Sequence, residues 1–243
     1  MASQPRRALV TGAGRRVGRA IALALAERGM HVGVHYHGSE EGARETARAI
    51  EALGARATLL RADLRQPDAP DALVADAARL LGGLDVLVNS AAVMVRTPIE
   101  TVTPAVWDDM MALNLRAVFF CARAAGAFMM RAGGGVIINM ADLAGLESWP
   151  AYIPHGISKA GVIQLTRALA RTLAPTVRVN AIAPGAVLLP ESWSERDAER
   201  LAATTPLRRI GSPNDVVRAV LYLLDADYVT GEVAIVDGGR HIR

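Results

Sequence analysis

Ala8-Leu9-Val10-Thr11-Gly12-Ala13-Gly14-Arg15-Arg16-Val17-Gly18 opens the ordered part of the chain. Three apolar residues make a short strand, the glycines make a turn, and Ala20 to Ala26 continue as an alanine-rich helix. A strand that passes through a glycine turn into a helix lets the backbone approach a pyrophosphate and aims the positive helix N-terminus at it. The G-x-G-x-x-G fingerprint is incomplete. Gly12 and Gly14 fit, but Val17 takes the last position and Gly18 comes one later. The plainer alternative is a glycine turn that only joins strand to helix.

Outward from this stretch, short apolar runs alternate with Ala- and Arg-rich segments. Strands are expected at His31 to His35, Ala57 to Leu60, Leu84 to Val88, Val136 to Asn139, Val177 to Ala181 and Val233 to Val236. Helices are expected from about Glu40 to Leu53, Asp68 to Leu81 and Pro104 to Arg131, and in a segment ending near Leu173. Strands separated by helices imply right-handed crossovers and a parallel sheet. The expectation is one Rossmann-type, doubly wound α/β domain over residues 1–243, with about seven strands and helices on both faces. Pro184 to Pro206 is the least regular stretch, the place for a substrate lid.

Composition narrows the function classes. The chain has 243 residues, 51% of them apolar and 4% aromatic, with a formal net charge of +3. That balance argues against nucleic-acid binding. No run approaches 18 uninterrupted apolar residues, so no membrane span is expected. The single cysteine, Cys121, lies among apolar residues and reads as a small hydrophobe. The start of the chain carries no signal-peptide pattern, which points to the cytoplasm. Its histidines, with no acids at ligand spacing, suggest no metal site.

Lys159 is the only lysine among 27 Lys and Arg residues. An ammonium is a compact donor whose pKa can be tuned, whereas a guanidinium is a wide fork that stays charged. One retained lysine therefore marks a position where arginine fails. His155 lies four residues earlier, one helical turn away on the same face. The second strand ends His35-Tyr36-His37-Gly38-Ser39, without the acid that commonly holds a ribose 2′-hydroxyl. With Arg15, Arg16 and Ser39 nearby, a 2′-phosphate is the better fit, which favours NADP(H) over NAD.

Taken together, the ordered motifs resemble those of the short-chain dehydrogenase/reductase superfamily, nearly end to end. They are Thr11 to Gly18, Asp63-Leu64, Asn89-Ser90-Ala91-Ala92, Asn114-Leu115, Ile138-Asn139-Met140, Ser158-Lys159-Ala160, Asn180 to Gly185, Thr230-Gly231 and Val236 to Gly239. The resemblance implies a cofactor site at Gly12, Gly14, Arg15, Arg16, Val17, Gly18, His37, Ser39, Asp63, Leu64, Asn89, Ser90, Ala91, Lys159, Pro184 and Gly185. It implies catalytic roles for Asn114, Asp142, His155 and Lys159. It also implies a dimer or tetramer built through the two long helical segments and the last strand. Within the superfamily the chain looks most like pteridine reductases. These place an arginine where most members have the middle glycine, as Arg16 does, and end the second strand in His-Tyr-His followed by Ser. They also replace the catalytic serine by aspartate, and Asp142 stands thirteen residues before His155.

Two positions depart from that pattern. The superfamily's general acid is a tyrosine four residues before the lysine, where this chain has His155. Tyr152, two turns from Lys159, is out of register to replace it. The aromatic residue that stacks on a pterin falls on Met94. With Val95, Trp149, Tyr152 and Trp193, it suggests a mostly apolar substrate pocket. A free imidazole titrates near pH 6.5, so histidine can donate a proton. A C=N substrate that arrives protonated needs little help. Two readings stay open: an NADPH-dependent reductase of a C=N or C=O in a small cyclic substrate, and a nucleotide-binding sensor or partner subunit without turnover.

Lys159→Arg conserves charge, yet it is expected to lower nicotinamide-cofactor affinity at least tenfold, a loss of ~1.4 kcal/mol or more. Fluorescence titration of both proteins measures it, and equal affinities would refute the reading of Lys159.

Overall fold

The computed structural model describes residues 6–187 and 194–242. Strand β1 (Arg7–Val10) pairs in parallel with β2 (His31–Tyr36), and β2 pairs with β3 (Ala57–Arg61). On its other side β1 pairs with β4 (Val86–Asn89). Beyond it follow β5 (Gly135–Met140), β6 (Val177–Pro184) and β7 (Val233–Val236), all parallel. The order β3-β2-β1-β4-β5-β6-β7 reverses direction between β1 and β4. A crevice for a ligand forms at such a switch point, outside the carboxyl ends of the strands.

The strands alternate apolar side chains between two faces. Ala8, Val10, Val86, Val88 and Ile138 enter one core layer, whereas Leu9, Leu87 and Ile137 enter the other. Both faces are apolar because helices cover both, the pattern of a buried parallel sheet. α1 (Arg16–Glu27), α2 (Glu40–Ala52) and α8 (Pro213–Asp225) serve the first layer. α3 (Ala69–Leu81), α5 (Ala117–Ala132) and α6 (Ile153–Leu173) serve the second. Cys121 is buried there, and desolvation pushes its thiol up to about 12, so it packs as a hydrophobe.

The helical region expected from Pro104 to Arg131 is present with an inner detail the sequence did not show, and two other expectations are corrected. The helical region from Pro104 is α4 (Pro104–Met111), then a five-residue π turn at Ala112–Arg116, then α5. This wider turn holds Asn114 against the backbone of Val93. The expected lid contains α7 (Glu195–Thr204), whose N-terminus is closed by a capping box between Ser194 and Asp197. α8, also unforeseen, opens with Pro213 and a second capping box, Ser212 with Asp215. Trp193 and the rest of 188–193 lie outside the described residues.

The composite helix Pro104–Ala132 is, by length and composition alone, apolar enough to cross a membrane. Half of its most apolar window is nevertheless buried inside the fold, where α5 packs on α3 and α6. A core helix explains that apolarity.

The glycine loop is folded tightly back on α1. A Cβ placed on Gly18 would stand 2.3 Å from the carbonyl oxygen of Gly12. Backbone cannot step aside as a side chain can, so Gly18→Ala is expected to cost about 1–3 kcal/mol. Urea unfolding of the variant checks this, and an unchanged midpoint would contradict the packing.

Candidate active site

The cradle is set by hydrogen bonds between strand ends. Thr11 Oγ1 accepts from the N–H groups of Ser90 (2.9 Å) and Ala91 (3.0 Å), tying the loop after β1 to that after β4. Gly12 has φ of +68°, and a Cβ there would meet Ala91 Cα at 2.9 Å. Only glycine meets both demands. His35, two residues before the exposed His37, staples the loop from below. Its Nδ1 accepts from Gly12 N–H at 3.1 Å, and its Nε2 lies 3.1 Å from Ala62 O. That pairing requires the neutral Nε2–H tautomer, and burial pushes the imidazole down to about 4. The role of His35 is thus structural.

α1 begins without a capping side chain. Its N-cap is Arg15, and no acid occupies the first turn. The helix thus starts without a capping bond from its N-cap residue and without an acid in its first turn, a setting in which a helix N-terminus can take an anion. Arg15 and Arg16 are exposed, Val17 is half-buried, and Gly14 is packed against Ser39 Oγ. Arg16 has φ of +52°, which explains why glycine commonly stands there and costs a non-glycine residue about 1–2 kcal/mol.

Other expected cofactor residues are sorted by the fold. Asp63 Oδ1 accepts from Arg65 N–H and lies 3.9 Å from His37 Nδ1. Leu64 is buried in the core. Asn89 turns inward: its Nδ2 donates to Asn139 Oδ1 at 2.9 Å, and Asn139 Nδ2 donates to Thr166 Oγ1. Its side chain braces β4 and β5 against α6. Pro184 is buried at the end of β6, and a Cβ on Gly185 would collide with Asp237 at 2.8 Å.

The four expected catalytic residues converge from the π turn, the loop after β5 and α6. Asn114 is locked by both polar atoms of one residue: Oδ1 accepts from Val93 N–H (2.9 Å) and Nδ2 donates to Val93 O (2.8 Å). Its amide also reaches Met110 Sδ and Ser158 Oγ. His155 is 2% exposed. Its Nδ1 lies 3.2 Å from Val93 O and 3.3 Å from Asn114 Nδ2, and its Nε2 lies 3.8 Å from Asp142 Oδ2. Asp142 Oδ1 caps a short 3-10 turn by accepting from Ala144 N–H at 2.8 Å. Lys159 is buried, and its Nζ donates to Met140 O at 2.7 Å. Desolvation pushes this ammonium down to about 8, against the opposing pull of Asp142.

The rim is apolar. Met94 and Val95 are half exposed, Trp149 and Tyr152 half-buried, and the two rings stand edge to face at 6.2 Å. A backbone bridge between Thr97 and Tyr152 draws the two segments together. Sequence reasoning missed Val93 and Met140, which act through backbone groups. Side-chain chemistry gives no signal for such roles.

Residues 12–241 match the family model described as enoyl-(acyl carrier protein) reductase. The chain is 36% identical to a 3-oxoacyl-(acyl-carrier-protein) reductase of Staphylococcus aureus, over 97% of this chain and 98% of that one. It is 40% identical to 3β-hydroxysteroid dehydrogenase 1 of Eggerthella lenta, over 95% of this chain and 92% of that one. The solved acetoin dehydrogenase of Enterobacter cloacae superposes with a TM-score of 0.91 at 33% identity, over 99% of this chain and 97% of that one.

The buried ammonium has a measurable cost. Lys159 gives up its proton near pH 8 when folded and near 10.5 when unfolded, so the unfolded chain binds more protons between these values. Stability conferred by this group is therefore present above pH 10.5 and lost as pH falls through 8. Lys159→Met escapes the penalty. Its stability advantage over wild type is expected to shrink by about 3 kcal/mol from pH 8 to pH 10.5. Urea unfolding of both apo proteins across that range tests the sign and the size.

Proposed function

This chain belongs to the short-chain dehydrogenase/reductase superfamily of oxidoreductases, and we propose that it is an NADPH-dependent reductase of a C=N or C=O in a small, cyclic substrate. The observation that carries the reading is the buried Lys159, one turn from His155 and facing Asp142, beside a glycine cradle whose helix is uncapped.

A nicotinamide dinucleotide suits the residues present. Gly12 leaves a hollow that a Cβ would fill, and the first turn of α1, with no N-cap side-chain bond and no acid, offers its N-terminus to a pyrophosphate. Arg15, Arg16, His37 and Ser39 surround the place of the ribose 2′-phosphate, while Asp63, Ser90, Ala91, Pro184 and Gly185 frame the rest. When bound, the reduced nicotinamide supplies the hydride. Lys159 presents a single ammonium to ribose hydroxyls and holds positive charge near the reacting centre. Asn114 fixes Val93 and the Nδ1 side of His155. Asp142 and His155 handle the proton that the substrate heteroatom takes up. Met94, Val95, Trp149 and Tyr152 exclude water and favour a flat apolar ring. The Asp142 position and the end of β2 support a pteridine-reductase-like substrate. Met94, where an aromatic clamp would stand, favours a substrate bound without stacking.

The largely apolar groove of about 720 Å³ along Trp107, Met111, Leu115, Phe119 and Leu165, with Asp108 and Arg116 on its walls, supports pairing of the long helices in a homodimer or homotetramer. A cytoplasmic setting belongs to the same reading. A second reading, a nucleotide-binding sensor or partner subunit without turnover, is favoured by one observation. His155 Nε2 is sealed from solvent and has no hydrogen-bond partner. Oxidation of NADPH with a panel of cyclic imines, dihydropterins and ketones separates the two.

NADPH is expected to bind at least tenfold more tightly than NADH. Charge-assisted bonds to the 2′-phosphate contribute roughly 1.5–3 kcal/mol each before desolvation. Fluorescence titration with both cofactors measures the ratio, and equal affinities would remove the NADP assignment.

A further inference from the structure

His155 cannot satisfy both neighbours of Nδ1 in the same way. Toward Val93 O the nitrogen must donate, and toward the Asn114 amide it must accept. The amide is not free to turn, because Val93 holds both its ends. On the other side of the ring, Nε2 is buried with no hydrogen-bond partner. The nearest charged group is Asp142 Oδ2 at 3.8 Å, under an ångström beyond hydrogen-bond reach. A bare Nε2 lone pair facing a carboxylate is repelled, so a proton belongs between the two groups. The pair also differs in access: the side chain of His155 is 3% exposed and that of Asp142 22%. The imidazole is shut behind the carboxylate, and only the carboxylate reaches the crevice.

Resting on the oxidoreductase reading above, we infer that Asp142 is the catalytic residue that hands the proton to the substrate, and that His155 is a positioning residue acting through it. Asp142 Oδ2 takes a proton from solvent, so one O–H bond forms, while the neutral ring keeps its Nε2–H turned toward the same oxygen. That O–H bond then breaks as the substrate nitrogen or oxygen takes the proton with the electron pair freed from its double bond. The substrate carbon receives hydride from reduced nicotinamide, and Asp142 Oδ2 regains a proton from solvent. Asp142 Oδ1 stays bound to Ala144 N–H throughout, which keeps Oδ2 turned toward both the ring and the crevice.

The arrangement predicts a tautomer as well as a rate. In Asp142→Asn the amide oxygen keeps the Ala144 bond, so the NH₂ group replaces Oδ2 opposite Nε2. The ring must then accept at Nε2 and donate from Nδ1 to Val93 O. Nitrogen-detected NMR of the apo protein, with labelled histidine, reads which ring nitrogen carries the proton. Nε2 is expected to be protonated in the wild type and Nδ1 in Asp142→Asn. The same tautomer in both would overturn the coupling. With NADPH and a substrate from the panel, Asp142→Asn is expected to lose 10²–10⁴-fold in kcat. His155→Phe is expected to lose less, since water can recharge the carboxyl group. An Asp142→Asn rate within threefold of wild type, or a larger loss in His155→Phe, would return delivery to the ring or to the substrate itself. NADPH titration and circular dichroism confirm that each variant folds and binds. A wild type that binds NADPH yet turns over nothing defeats the oxidoreductase reading and the delivery role with it; the tautomer result then decides only the coupling of the pair.

Discussion

Burying Lys159 is the constraint around which the site is arranged. A sealed ammonium with a carbonyl as its hydrogen-bond partner is costly, and Asp142 recovers part of that cost through space. The chain holds the two at fixed separation by steric means. A Cβ on Gly145 would stand 2.7 Å from the backbone of Lys159, and one on Gly156 would stand 2.8 Å from Ala144 O. The loop after β5 and α6 thus touch backbone to backbone. The register of Asp142, His155 and Lys159 follows from that contact and does not depend on any hydrogen bond among the three side chains.

Much of this was legible in the sequence because period and punctuation survive in parallel sheets. The alternation of Ala8, Leu9 and Val10, repeated in Val86, Leu87 and Val88, sorts residues to the two core layers. The glycine turn, the lone lysine and the spacing of His155 assigned the candidate site to the loop after β1 and to α6, and the fold brings His155, Asp142 and Asn114 together there. The helices α7 and α8 were missed although each carries a Ser-x-x-Asp capping signal, because nearby prolines made the region read as irregular. The inward turn of Asn89 was not legible, since an amide that bonds to Asn139 and one that faces a ligand look alike in one dimension. The same holds for His35, whose partners are a backbone amide and a backbone carbonyl.

Arginine, abundant in this chain, links the two ends of the crevice. Arg65 Nε meets Asp109 of α4 at 2.5 Å, and its Nη1 stands 3.6 Å from Asp63. Arg116, in the π turn, donates to the carbonyl of Arg65. The loop after β3 is thereby fastened to the turn that carries Asn114. Isolated pairs at this exposure contribute little to stability. Their value here is geometric, since Arg65 ties its loop to α4 and Arg116 ties the π turn to the same loop.

The π turn at Ala112–Arg116 has a consequence for how this chain can vary. It holds one residue more than a regular turn, and removing that residue would restore ordinary winding. Everything on one side would then swing by about 100° relative to the other. Asn114 would leave Val93, and the wall behind His155 would open. The helix therefore cannot be perfected without dismantling the pocket it serves. Descendants of this sequence can exchange exposed side chains along α4 and α5, but they inherit its length at this point as a fixed count.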